Sequence, residues 1–299
     1  MRVAFSQTYD KMSVDLNRKK EDIDRYSIMI STGERMQRSA DDPLGWARAQ
    51  EFRQGIRELD ALAKNVDFAA SWNQGTESAL TDIMTLVTKA ISVGNNSIGT
   101  QDTGIRQALT QELNYYIQEA VLSANSQLGE QYLFGGTSYT TEPFAMTMVG
   151  GDVTAITYQG GPAYDLDVRT SKGSAETVNI NGQVAFDTAG TDVLQQLLTL
   201  KNAVQAADAG TVRTQLTALE ASFQNLMRLT ALTETRQAGL ERKSELLTSL
   251  KLSQQDQLDD VAGADMASAI IQLQQTQTVY EAALRATSTL SSLNLTNFL

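Results

Sequence analysis

Apolar residues recur along the first thirty positions at alternating spacings of four and three. Phe5, Tyr9, Met12 and Leu16 are followed by Ile23, Tyr26 and Ile30, with Lys19 interrupting the same line. That period predicts a helix buried along one narrow seam. Gly33, in Ser31-Thr32-Gly33, is the predicted stop, because glycine accepts the left-handed conformation that ends many helices. From Pro43 the spacing resumes through Gly45, Ala49, Phe52, Ile56, Leu59, Ala63, Val66, Ala70, Asn73, Glu77, Leu80, Met84, Val87 and Ile91. At ~1.5 Å per residue this second helix would run for roughly 75 Å. Gly75 is its expected weak point, since glycine costs about 1 kcal/mol against alanine in a helix interior. The stretch VGNNSIGTQDTG (93–104) predicts a linker. A third helix follows, with Ile105, Leu109, Leu113, Tyr116, Ile117, Ala120, Ala124 and Leu128 on one face and its end near Gly129.

The period then falls to two. Phe144, Met146 and Met148 alternate with other residues before Gly150-Gly151, and DVTAITY follows. Tyr164, Leu166 and Val168 alternate with Asp165, Asp167 and Arg169. Val178 and Ile180 precede Asn181-Gly182, and Val184 and Phe186 follow it. Asn-Gly between alternating apolar positions predicts a tight hairpin. Helical spacing returns over 191–208. A long helix then starts near Thr211, with Val212, Leu216, Leu219, Phe223 and Leu226 in register, and its pattern thins through 230–260. Gly263 and Asp265 predict a break and a new cap. The last line is Met266, Ile270, Leu273, Tyr280, Leu284, Leu290 and Leu293, with Gln277 and Thr287 at seam positions.

The predicted fold class is mainly α with a small β-rich insertion. The N- and C-terminal arms form an elongated, antiparallel, coiled-coil-like rod. The expected divisions are a terminal arm (1–40), a helical rod (41–130), a β-rich exposed domain (131–190), a second rod (191–262) and a terminal arm (263–299). The two end helices have thin seams, and such helices are marginal alone in water. They are expected to order on assembly with copies of the same seam.

The stretch STGERMQRSADDPLGWARAQ (31–50) raises the question of whether Asp41 and Asp42 do chemistry. Proline is favoured at the first helical position, and aspartate is a good cap for the free N–H groups of a first turn. Asp42 therefore caps the helix that Pro43 opens, and Asp41 adds negative charge near the positive end of the helix dipole. A catalytic carboxylate pair needs a partner of raised pKa in a cleft, and no partner is visible in the pattern.

Composition narrows the function classes. The 299 residues include no histidine and no cysteine. That excludes Ser-His-Asp triads, cysteine nucleophiles, disulfides, and zinc, haem or iron–sulfur sites ligated by those residues. Three prolines and 6% aromatics fit long Leu/Ala-based helices. A net charge of −11 argues against a nucleic-acid partner, and the run Arg18-Lys19-Lys20 is offset at once by Glu21, Asp22 and Asp24. No apolar stretch is long enough to span a membrane. The opening MRVAFSQTYDKMSVDLNRKK lacks the apolar core of a signal peptide.

ISTGERMQRSADDPLGWARA (30–49) resembles the N-terminal motif of the flagellin family, and VYEAALRATSTLSSLNLTNFL (279–299) resembles the matching C-terminal arm. SADDP together with QYLFGGTSYTTEPF (131–144) is more similar to the hook–filament junction members of that family than to filament flagellin. The resemblance implies an extracellular, non-enzymatic subunit of the bacterial flagellum, exported through the flagellar type III apparatus without a cleaved signal peptide. It implies an adaptor whose terminal seams, Phe5 to Ile30 and Met266 to Leu293, are polymerisation interfaces. Its implied partners are copies of itself, the first hook-associated protein, flagellin and an export chaperone. Neither a nucleic acid nor a membrane is among them, and no catalytic residue, cofactor or metal is implied.

Three rival readings stand beside it. Filament flagellin and a type III-secreted tip or translocator protein share the rod-plus-tip outline. A carboxylate glycosidase in the β insertion could draw on Asp152, Asp165, Asp167, Glu176 and Asp187, although acids alternating with apolar residues usually mark the solvent face of a strand. Asp256, Asp259, Asp260 and Asp265 lack the spacing of a calcium loop. No Gly-Lys-Ser/Thr phosphate loop occurs.

Overall fold

The computed structural model describes residues 2–188 and 191–296, with the side chains at 2–9, 187, 188, 191 and 290–296 outside the description. Its helices are α1 (Arg2–Thr32), α2 (Pro43–Ser97), α3 (Thr103–Ala124), α4 (Gly182–Phe186), α5 (Val193–Gln205), α6 (Ala209–Ala262) and α7 (Met266–Thr296). The strands are β1 (Gln127–Leu128), β2 (Gln131–Tyr132), β3 (Phe144–Val149), β4 (Asp152–Tyr158), β5 (Asp167–Ser171), β6 (Ser174–Thr177), β7 (Asp187–Thr188) and β8 (Thr191–Asp192). They pair only in sequence order, as four antiparallel two-stranded ribbons. The fold is mainly helical with a small β insertion. It divides into two compact units, Met1–Leu59 with Ser249–Leu299, and Asp60–Thr248.

The larger unit is built on the stretches of α2 and α6 that fall within it. On α2 the buried line is Leu62, Val66, Ala69, Asn73, Thr76, Leu80, Ile83, Val87 and Ala90. It keeps the four–three spacing and shares Val66, Asn73, Leu80 and Val87 with the line expected from sequence. The burial spreads over Trp72, Ala79 and Val93 as well, so the expected line is one edge of a broader stripe. Gly75 does not break α2. A Cβ there would lie 3.1 Å from Leu133 Cδ1, so its bare backbone seats that side chain. The linker after α2 is short, residues 98–102. α3 opens on Asp102, whose side chain accepts from Ile105 N at 3.0 Å, and stops at Ala124 rather than near Gly129. Asn125 ends it by turning its side chain to the start of β3: Oδ1 accepts from Phe144 N and Nδ2 donates to Phe144 O, both at 2.9 Å. α6 runs unbroken to Ala262, through the 230–260 stretch where its apolar pattern thins.

The β3–β4 ribbon forms as the alternation predicts, from Phe144 opposite Tyr158 to Val149 opposite Asp152. Its turn is Gly150-Gly151, both with positive φ, +62° and +93°. Asn181-Gly182 corrects the expected hairpin. Asn181 Oδ1 accepts from Gln183 N at 2.9 Å and opens the short helix α4. The reason is tertiary. A Cβ on Gly182 would lie 2.8 Å from Phe134 O, so this glycine lets α4 approach Phe134 closely. The contact closes an aromatic cluster in which Phe186 lies 4.9 Å from Phe134 and 5.4 Å from Phe144, centroid to centroid.

Buried polar side chains tie the ribbons to the helices. Asn114 of α3 accepts from Val153 N at 2.8 Å and donates to Gly151 O at 3.0 Å. Lys201 of α5, almost wholly buried, donates to Val153 O at 2.5 Å. Burial pushes the Lys201 ammonium pKa down, against a smaller upward pull from Asp152. From that lowered value up to about 10.4, the unfolded chain holds a proton that the folded chain has lost, so this lysine makes stability rise with pH. Lys201→Met is therefore expected to lack that alkaline rise. Denaturant melts of both proteins, differenced across the alkaline range, check it.

Candidate assembly interface

The smaller unit contains the two terminal helices and the segment that joins them to α2 and α6. α1 ends where expected. Gly33 adopts φ +71°, and its N–H closes onto Met29 O at 2.9 Å. The chain then pairs with the end of α6. Glu34 and Gly263 form an antiparallel bridge, Arg35 N donates to Ala262 O at 2.7 Å, and Ala264 N donates to Gly33 O at 2.9 Å. The last carbonyls of a helix lack intrahelical partners. Arg35 supplies one here, its Nη2 donating to Val261 O at 3.0 Å. The same guanidinium reaches Asp42 Oδ2 at 3.3 Å. A Cβ on Gly263 would lie 2.4 Å from Asp259 O, so glycine is needed at this crossing.

Asp41 and Asp42 are structural, with separate tasks. Asp42 Oδ1 accepts from Gly45 N at 2.9 Å and caps α2 at Pro43. That backbone bond, then the Arg35 bond, lowers its pKa. Asp41 also closes the loop before the helix. Its Oδ2 accepts from Arg38 N at 3.1 Å and Gln37 N at 3.2 Å, and these bonds lower its pKa too. Groups shifted this way stabilise the fold above the ordinary aspartate range and lose that contribution as pH falls through the lowered values. Beneath the loop, Met36, Ala49 and Ala262 are buried together, with Trp46, Leu258 and Val261 against them. Glu34 pairs with Arg53 at 2.6 Å, and Arg53 lies over the Trp46 ring at 5.8 Å. Sequence reading missed Arg35, Met36, Trp46 and Arg53. Trp46, one turn past the cap, was the available signal.

α7 starts at a new cap, Asp265 Oδ1 accepting from Ser268 N at 3.1 Å. It runs antiparallel to α1. Ala264 meets Gly33 at one end, while Val279 and Ala283 share a groove of about 570 Å³ with Met12 and Leu16. On α1, the expected seam residues Met12, Leu16, Ile23, Tyr26 and Ile30 are half-buried, as is Lys19, which pairs with Asp22 at 3.0 Å. The side chains of Phe5 and Tyr9 lie outside the described residues.

On α7 the covered face is offset from the expected line. Ala269 and Thr276 are buried, and Leu273, Tyr280, Ala283 and Thr287 are half-buried. Leu273 and Tyr280 were expected there. Met266, Ile270 and Leu284 are exposed, at 40–44% of their area, and Leu290 and Leu293 lie outside the described side chains. Ile271 and Val279 on α7, and Val14 and Ile28 on α1, are also exposed. This unit therefore presents apolar side chains on both terminal helices.

Two of the acids weighed for catalysis are held by other side chains. Asp167 accepts from the Thr177 hydroxyl at 2.7 Å, and Glu176 pairs with Lys243. The side chain of Asp187 lies outside the described residues. Among the described residues, no three acidic side chains form a candidate cation site, and no helix is long and apolar enough to cross a membrane.

In sequence, residues 6–139 match the model of the bacterial flagellin N-terminal helical region. The matched segment takes in most of α1, the capped loop, α2 and α3. Over 64–75% of the chain the fold is similar to solved flagellar hook-associated and junction proteins. A protein provisionally described as a flagellar hook-associated protein from Vibrio parahaemolyticus superposes with a TM-score of 0.67 at 19% identity, over 75% of this chain and 100% of that one. FlgL of Bacillus cereus gives 0.59 at 18% identity, over 70% and 98%. The flagellar junction protein FlgL of Legionella pneumophila gives 0.55 at 10% identity, over 64% and 99%. No curated protein matches the chain in sequence.

Proposed function

We propose that this chain is a structural subunit of the bacterial flagellum, an adaptor of the FlgL type at the hook–filament junction. The observation that carries the assembly reading is the smaller unit's surface. Two long helices bury little against each other and leave Val14, Ile28, Met266, Ile270, Ile271, Val279 and Leu284 exposed. Exposed apolar residues distributed over paired helices fit further helices packing alongside. The flagellin N-terminal match and the FlgL-like fold support the flagellar setting, and the junction and hook-associated descriptions of the similar structures favour an adaptor over filament flagellin or a secreted tip protein. In this reading the subunit assembles with itself, meets the first hook-associated protein on one side and flagellin on the other, and travels with an export chaperone. It acts outside the cell, is exported without a cleaved signal peptide, and performs no catalysis.

Ile270→Ser with Leu284→Ser tests the reading. Both residues are exposed in the single chain, so the melting temperature should change little. Concentration-dependent self-association in sedimentation velocity, and rescue of filament attachment in cells lacking the junction protein, should be lost. Full rescue by the double variant would remove this face from the interface.

A further inference from the structure

The larger unit carries an uncovered apolar face on α3 and the β3–β4 ribbon. Tyr115 and Leu122 stand two turns apart on one side of α3 and are 57% and 62% exposed. Met148 and Val149 end β3 and are 43% and 65% exposed. The ribbon is fixed along α3 at both ends. Asn114, next to Tyr115, bonds Val153 N and Gly151 O at the ribbon's turn. Asn125, one turn past Leu122, bonds both backbone groups of Phe144 at its base. β3 pairs on one side only, and its sequence FAMTMV has neither a charge nor a proline, the usual guards of a free strand edge.

The charge around this face has one sign. Residues 107–168 contain seven aspartates and glutamates and no lysine or arginine. Glu112 and Glu119 lie one turn to either side of Tyr115, and Asp152 stands across the ribbon from Val149. Lys89 of α2, which reaches α3, lies over the Tyr116 ring at 5.8 Å. An apolar face among carboxylates repels a second copy of itself, and it repels nucleic acid and anionic lipid. It complements an apolar surface flanked by lysine and arginine.

We infer that this face is a docking surface for a cationic amphipathic helix of another protein. The partner's apolar stripe packs along Tyr115, Leu122 and the end of β3, since a two-turn spacing on one helix suits a second helix laid alongside. Its lysine and arginine side chains meet Glu112, Glu119 and Asp152. The surface belongs to the larger unit, so it is independent of the terminal-helix face proposed for self-assembly.

A synthetic leucine–lysine peptide of about 20 residues, patterned as an amphipathic helix, tests it by calorimetric titration into the full chain at ~0.15 M salt. Binding should saturate, and a scrambled peptide of the same composition should bind about tenfold more weakly. Tyr115→Ser with Leu122→Ser keeps every charge and should weaken binding about tenfold. Glu112→Gln with Glu119→Gln keeps the apolar stripe and should weaken it about fivefold, so a folding defect in one pair leaves the other to decide. Glu220→Gln with Glu234→Gln removes the same charge from the exposed side of α6 and should leave the affinity unchanged. No saturable binding, equal affinity for the scrambled peptide, an equal loss in the α6 pair, or full affinity in both α3 pairs would overturn the assignment.

Discussion

Phe134→Ala is expected to destabilise the larger unit by about 3–5 kcal/mol, the usual cost of removing a buried phenylalanine ring. Phe134, Phe144 and Phe186 are almost wholly enclosed, and Tyr158 packs 5.1 Å from Phe144. The Phe134 backbone is also a hub. Its carbonyl accepts from Gly182 N at 3.1 Å and from the Tyr158 hydroxyl at 3.2 Å. A cavity here weakens α4, the β3–β4 ribbon and the 131–144 segment together, because each element uses the cluster as its core. Urea melts followed by far-UV circular dichroism give the magnitude. Met148→Ala is the matched control. Met148 sits on the same ribbon but is exposed, so its loss should stay within about 0.5 kcal/mol. Comparable losses in the two variants would mean that the aromatic cluster is not the core of this region.

The long helices were legible because a four–three apolar line is a local signal and α2 and α6 satisfy it over many turns. The caps were legible for the same reason: Asp42-Pro43, Gly33 and Asp265 act within one turn of themselves. What failed was set by distant parts of the chain. Asn181-Gly182 carries a strong local hairpin signal, yet Phe134, far away in sequence, converts it into a helix start. Arg35 looks like any surface arginine until the end of α6 arrives, with Val261 O needing a donor.

The α7 line divides in the single chain. Two neighbouring lines on that helix keep the same spacing. One carries Ala269, Thr276 and Ala283, and the other carries Met266, Ile270 and Leu284. Periodicity alone selects the bulkier line. In the single chain the smaller line turns toward α1, since small side chains let two helices approach closely. Leu273 and Tyr280 share that covered face, while Met266, Ile270 and Leu284 are left for other contacts, and their exposure is the physical basis of the assembly proposal.

Met36→Ala is expected to release the junction of the terminal helices while the larger unit keeps its stability. Among the described residues of the smaller unit, Met36 is the one large apolar side chain that is almost fully buried. Its sulfur lies 2.9 Å from where a Gly45 Cβ would stand, so it fills the space the capped turn leaves open. Truncation of a buried methionine costs about 2–5 kcal/mol. A unit with so small a core cannot absorb that by repacking. The loss should appear as local opening rather than global unfolding. Hydrogen exchange should accelerate in amides across 33–53 and 258–265, including the Arg35 amide bonded to Ala262, while the buried α2 line from Leu62 to Ala90 stays protected. If α1 and α7 then exchange freely as well, Met36 holds the terminal helices in place through the loop. If they remain protected in the variant, their own packing suffices, and the bridge between Glu34 and Gly263 only follows it.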